Sequence, residues 1–192
     1  MSMTSNFAVV YDACVLYPAP LRDLLMRLAL TDLYRAKWTN QIHDEWVRNL
    51  LARRPELSAD RLAGTRELMN RSVRDSLVFG YEHLIESIEL PDPDDRHVVA
   101  AAIHSGSEAI ITFNMKDFPE AALKEFNVEA IHPDDFVVDL FDLNAGKVLA
   151  AVADHRASLK NPPKSPSEYL TTLSAQGLTQ TVLILTQYSL AI

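Results

Sequence analysis

The chain reads as an α/β protein, a helix–sheet–helix sandwich around a mainly parallel sheet with a helical extension at its C-terminal end. Three observations predict this. FAVVYDAC (Phe7–Cys14) and AIITF (Ala109–Phe113) are short continuous apolar runs of the kind that form strands buried on both faces. Between and after them, apolar residues at helical spacing alternate with further short strand-like runs, as crossover connections in a parallel sheet require. The last third departs from that alternation: it is helical in pattern from Asp134 to Leu159, then a stiff NPPKSPS linker, then two more helices.

In order along the chain, the first apolar run ends at Asp12, and Pro18 and Pro20 punctuate the turn that follows. LRDLLMRLAL has Leu21, Leu24, Leu25 and Leu28 on one helical face. YRAKW is a candidate second strand, and Thr39 and Asn40 are candidate caps for a helix through QIHDEWVRNLL. Ser58 opens another helix with Leu62, Leu68 and Met69 on its apolar side, and YEHLIESIEL fits either helix or strand. The helix begun by ELPDPDD runs to about Ser105 and stops at Gly106, and a last short strand is expected near Val128–Ile131, before Pro133. The expected division is a sandwich domain over residues 1–138 and a helical extension over 139–192.

Composition narrows the function. A formal net charge of -8 argues against a surface that coats nucleic acid broadly, although bound divalent cations could offset clustered carboxylates. From Arg48 to Arg74, seven arginines face only three acids, and such a tract could grip phosphates or be a solvated helix face. One cysteine, Cys14, excludes an internal disulfide framework and a thiolate metal cluster. MSMTSNFAVV does not read as a secretion leader, and VLILTQYSLAI is too short and too polar to span a membrane. A cytoplasmic protein is expected. No Ser-His-Asp order, phosphate-binding loop or dinucleotide fingerprint is present.

The chemistry concentrates in ELPDPDDRHVVAAAIHSG, which begins with four carboxylates in seven residues. Helix-start chemistry explains most of them: Asp92 suits the N-cap, Pro93 the first position, and acids in the first turn suit the helix dipole. Asp95 escapes that account. Val98, Val99, Ala102 and Ile103 follow it at helical spacing and are all apolar, so its carboxylate faces inward and needs a donor or a cation. Asp12 directly follows the first strand, and Asp117 follows AIITF by the turn FNMKDFP, so both lie where open parallel sheets bind ligands. Three acids gathered there would call for a hard cation with oxygen ligands, Mg2+ or Mn2+. A fourth is expected in IHDEWVRNLL, where Asp44 and Glu45 both flank the buried stripe of Ile42, Trp46 and Leu50, and spacing does not choose between them. His43 reads as a packing residue, and the other five histidines show no zinc-type pairing.

Taken together, FAVVYDACVLYPAPLRDLL, RAKWTNQIHDEWVRNL, DPDDRHVVAAAIHSGSEAIITFNMKDFP and AIHPDDF resemble the PIN-domain nucleases, over roughly residues 7–136. The nearest branch is that of the bacterial VapC-like toxins. The resemblance implies a Rossmann-like sandwich and hydrolysis of RNA phosphodiester bonds with Mg2+ or Mn2+. It also implies a site of Asp12, Glu45, Asp95 and Asp117, which breaks the tie with Asp44, with Asn114 as a supporting residue. Asp12, Asp95 and Asp117 would hold one or two cations, and Glu45 would bind the second or orient the attacking water. Arg48, Arg53, Arg54 and Lys116 are candidate phosphate contacts. A cognate antitoxin is the partner the branch implies, and the apolar C-terminal helices suggest packing onto the sandwich or self-association into a homo-oligomer. The competing expectation is a catalytically silent PIN-fold module acting through a protein or RNA partner.

Overall fold

The computed structural model describes residues 7–192; residues 1–6, which carry part of the leader reading, lie outside the described residues. The chain runs β1 (Ala8–Tyr11), α1 (Ala13–Leu16), α2 (Ala19–Ala29), β2 (Arg35–Lys37), α3 (Asn40–Arg53), α4 (Ala59–Ser72), α5 (Arg96–Ser105), β3 (Ala109–Ile111), α6 (Glu120–Leu123), β4 (Glu129–Ile131), α7 (Pro133–Ser158), α8 (Pro166–Ala175) and α9 (Thr179–Thr186).

The strands form one parallel sheet in the order β2-β1-β3-β4, with Val9 opposite Ala36, Val10 opposite Ile110, and Ile110 opposite Ala130. Every residue of β1 and β3 is buried, so helices cover both faces of the central pair, as the unbroken apolar runs require. Because β1 leads outward to β2 on one side while β3 lies on its other side, the order reverses between β1 and β3. Ligands of open α/β sheets bind beyond the carboxyl ends of strands at such a point.

Local signals set the helix ends. Thr39 accepts a hydrogen bond from Ile42 N at 3.0 Å, and Ser58 caps α4 in the same way. Gly106 closes α5 in the left-handed region at φ 64°. The ambiguous YEHLIESIEL is a 3-10 turn over Glu82–Ser87, flanked by buried Tyr81 and Ile88.

The C-terminal third is built onto this sandwich. Helix α7 breaks at Asn144, whose φ of -159° is extended, and the Asn144 side chain accepts from Lys147 N at 3.0 Å to restart the helix. Residue 138, where the sequence suggested a division, lies inside the first half of α7. α2 packs against α7 and α8, and α7 against α9. Asp134, in the first turn of α7, also caps α9: its carboxylate accepts from Gln180 N at 2.7 Å and from Thr181 N at 2.9 Å. Tyr169, Leu173, Leu178 and Leu185 join the same core cluster as β1 and β3. Leu183 and Leu190 stay exposed. Among the described residues, no helix is long and apolar enough to cross a membrane.

Candidate active site

Asp12 sits at the point of strand reversal. Its backbone N–H continues the sheet by donating to Ile111 O at 3.1 Å. Its side chain does not cap α1. Instead Oδ2 accepts from Thr112 Oγ1 at 2.7 Å, across the seam between β1 and β3, and from Cys14 Sγ at 3.0 Å. The carboxylate is 2% exposed. Burial pushes its pKa up, the Thr112 and Cys14 hydrogen bonds pull it back, and nearby Glu45 pushes it up again. Burial, and then the Asp12 charge, also push the Cys14 thiol up, so this cysteine serves as a donor rather than a nucleophile.

The crowd of acids before α5 divides as geometry predicts. Asp92 performs the local capping, accepting from Asp94 N at 2.9 Å. Asp95 makes no capping bond and is 9% exposed. Its pKa is pushed up to about 7, first by burial and then by the charges of Asp12, Asp92, Glu45 and Asp117. That set of neighbours brings all four expected acids within one another's field.

Tertiary contacts give the two acids of α3 different surroundings. Asp44 pairs with Arg66 of α4. Glu45 is half-buried and turns toward the sheet edge, where His97 Nε2 stands 3.5 Å from Glu45 Oε2. Asp117 closes the turn after β3 by donating its backbone N–H to Asn114 O at 2.9 Å. Glu45, Asp95 and Asp117 line one cleft of about 540 Å³ together with Arg48, His97 and Asn114. Asp12 is buried and does not line this cleft, although its charge is felt at Asp95.

The other expected residues separate. Arg53 reaches over the ring of Tyr17, 5.9 Å from its centroid, outside the acid cleft. Arg54 is exposed and paired with Glu56, and Lys116 is exposed in the turn without lining the cleft. His43 is a core residue, accepting from Trp46 Nε1 at 3.0 Å and facing Asn70 Oδ1 at 3.0 Å.

Sequence reasoning missed His97 and Thr112. His97 is 3% exposed, and its Nδ1 is buried without a hydrogen-bond partner. It meets Glu45 only through the packing of α5 near α3, which no spacing along the chain encodes. Thr112 could have been found, because it is a lone hydroxyl at the end of an otherwise apolar strand run.

The donor set suits a hard cation: it is oxygen-only, acidic and mutually repelling. Among the described residues, however, no group of three or more His, Cys, Asp or Glu side chains is arranged to hold a metal ion as it stands. Glu45, Asp95 and Asp117 share the cleft and Asp12 stands outside its lining.

Comparison with known proteins accords with this layout. The PIN domain family model matches residues 8–116, more than half of the chain, a span that includes Asp12, Glu45 and Asp95 and ends one residue before Asp117. The chain belongs to the PIN-domain family. Residues 133–187 of this PIN protein match a second model, the VapC50 C-terminal domain. A relative from Mycobacterium tuberculosis (strain ATCC 25618 / H37Rv), named "Putative ribonuclease VapC50", is 38% identical over 101 residues. That match covers 53% of this chain and 59% of the relative, so it spans about three fifths of the relative's length. No solved structure matches the chain.

Proposed function

We propose that this PIN protein is a metal-dependent endoribonuclease that hydrolyses RNA phosphodiester bonds and acts as the toxin of a toxin–antitoxin pair. The observation that carries the reading is the acid cleft at the strand reversal, where Asp95 is held at about 7 by burial and by the charges of Asp12, Asp92, Glu45 and Asp117. A cluster this repulsive costs stability unless a cation or a substrate uses it. The name of the Mycobacterium relative and the match of residues 133–187 to the VapC50 C-terminal domain support the same reading.

In this reading Asp12, Asp95 and Asp117 would hold Mg2+ or Mn2+. Such an ion would supply a more acidic bound water and charge stabilisation at the scissile phosphate. The remaining steps belong to the chain. Thr112 and Cys14 fix Asp12 by donating to its Oδ2. Glu45 orients the attacking water and takes its proton, and His97 Nε2–H steadies the Glu45 carboxylate from behind. Arg48, in the same cleft, offers a planar fork to a phosphate. The antitoxin, as the branch implies, is the protein partner, and exposed Leu183 and Leu190 are candidate contacts for it or for a second copy.

The test is cleavage of single-stranded RNA by the purified protein with Mg2+, with Mn2+ and with EDTA, beside folded Asp12→Asn and Asp95→Asn variants. Cleavage that needs the ion and drops at least about a hundredfold in both variants is expected, in line with the loss of a charge-stabilising group. Calorimetric Mn2+ binding by a protein that cuts no RNA would favour the silent module instead. Cleavage unchanged in the variants would sink the site.

A further inference from the structure

A second cavity adjoins the acid cleft. It measures about 370 Å³, at the lower end of the ~300–1,000 Å³ typical of small-molecule sites, and Glu45 and Asn114 line both spaces. Its long wall is one face of α3: Glu45, Asn49, Ala52 and Arg53 follow one another at helical spacing. Tyr17, just past α1, faces that wall, and Asn114 closes the end nearest the acids.

The chemistry of this cavity differs from that of the cleft. Beyond the shared Glu45 it has no acid, and the guanidinium carbon of its cation, Arg53, lies over an aromatic ring, 5.9 Å from the Tyr17 centroid. Small Ala52 leaves room along the wall. Two carboxamides, Asn49 and Asn114, supply both donors and acceptors at its edge. A flat, uncharged ligand with mixed donor and acceptor edges fits such a space, whereas a phosphate would prefer the neighbouring Arg48.

We propose that this cavity is a nucleobase subsite. It takes the base of a single-stranded nucleotide against the Tyr17 ring and the Arg53 guanidinium, reads its edge with Asn49 and Asn114, and thereby sets which phosphodiester enters the acid cleft. Stacking on an aromatic side chain and hydrogen bonding to exposed base edges are how proteins select unpaired nucleotides, and a base locked in a duplex could not reach the cavity. The inference rests on the nuclease reading for its biological meaning, but its binding chemistry stands apart from catalysis.

Two measurements test it. In EDTA, ApA, GpG, CpC and UpU are titrated into 15N-labelled protein, with Tyr17→Leu and the exposed-site variant Asn49→Ala as controls. Shifts centred on Tyr17, Asn49, Arg53 and Asn114, larger for some bases than others and weakened about tenfold in affinity by either variant, are expected. In parallel, cut sites are sequenced from a randomised single-stranded RNA pool. A base preference at one position beside the cut that flattens in Asn49→Ala, with Mn2+ affinity unchanged, is expected. Dinucleotide shifts without any cleavage would sink the nuclease reading and keep the subsite. Absence of shifts at these residues, or a preference untouched by both variants, would overturn the subsite even if a protein partner were found to occupy it.

Discussion

Asp92 and Asp95 stand three residues apart and have opposite tasks. Asp92 satisfies a backbone N–H, while Asp95 is turned inward without a capping bond and surrounded by other acids. The helical phase of the apolar residues after Asp95 announced that difference, so this part of the site was legible in the sequence. For Glu45, spacing left the choice with Asp44 open and only the family resemblance made it; the physical difference lies in what α4 and α5 bring to either side of α3, Arg66 to Asp44 and His97 to Glu45. The residue scale carries two predictions. Asp95→Asn removes one charge from the cluster, so melts in EDTA at pH 8 should rise by a few degrees while RNA cleavage is lost, a trade between stability and activity. His97→Leu should lower kcat with KM little changed, and His97→Gln, which keeps a donor near the Nε2 position, should restore much of it; equal loss in both would show mere packing.

At the level of elements, the strands and helices were readable wherever burial is two-sided or a cap is explicit, as in β1, β3, α3 and α4. YEHLIESIEL was not, because a 3-10 turn with buried ends has neither a helical nor an alternating period. The kink in α7 was hidden as well: Asn144 stands in an otherwise continuous helical pattern. Two joints within the C-terminal third are open to measurement. Asp134→Ala leaves the first N–H groups of α9 without their acceptor and should cost about 2–3 kcal/mol in urea unfolding. His155 of α7 is buried, with Nδ1 2.9 Å from Tyr169 Oη of α8, and burial pushes its pKa down to about 4. His43 is likewise pushed down to about 4, by burial above all. For both, the unfolded chain takes up a proton near its ordinary pKa of 6.5 before the folded one does. Their stabilising contribution is therefore complete above that pH and is lost as the pH falls toward 4. Replacing His155 by Gln, which does not titrate, should reduce the proton uptake on unfolding by about one in that window, read from the slope of stability against pH.

For the molecule as a whole, α7 to α9 share a core with the sheet, so the C-terminal third is expected to be needed for the sandwich to stay soluble. A chain ending at residue 138 would uncover the side chains that Leu140, Val148, Val152 and Tyr169 pack against. It should aggregate on size-exclusion chromatography, and a chain ending at Asn161 should lose cooperativity in thermal unfolding. The bond from Thr112 to Asp12 joins residues 100 positions apart, across the seam between β1 and β3. A growing polypeptide on the ribosome therefore carries its first acid long before it carries the residues that aim it. If the chain is the proposed toxin, its activity on RNA would begin only after most of it has been translated, which would leave the proposed antitoxin time to arrive first.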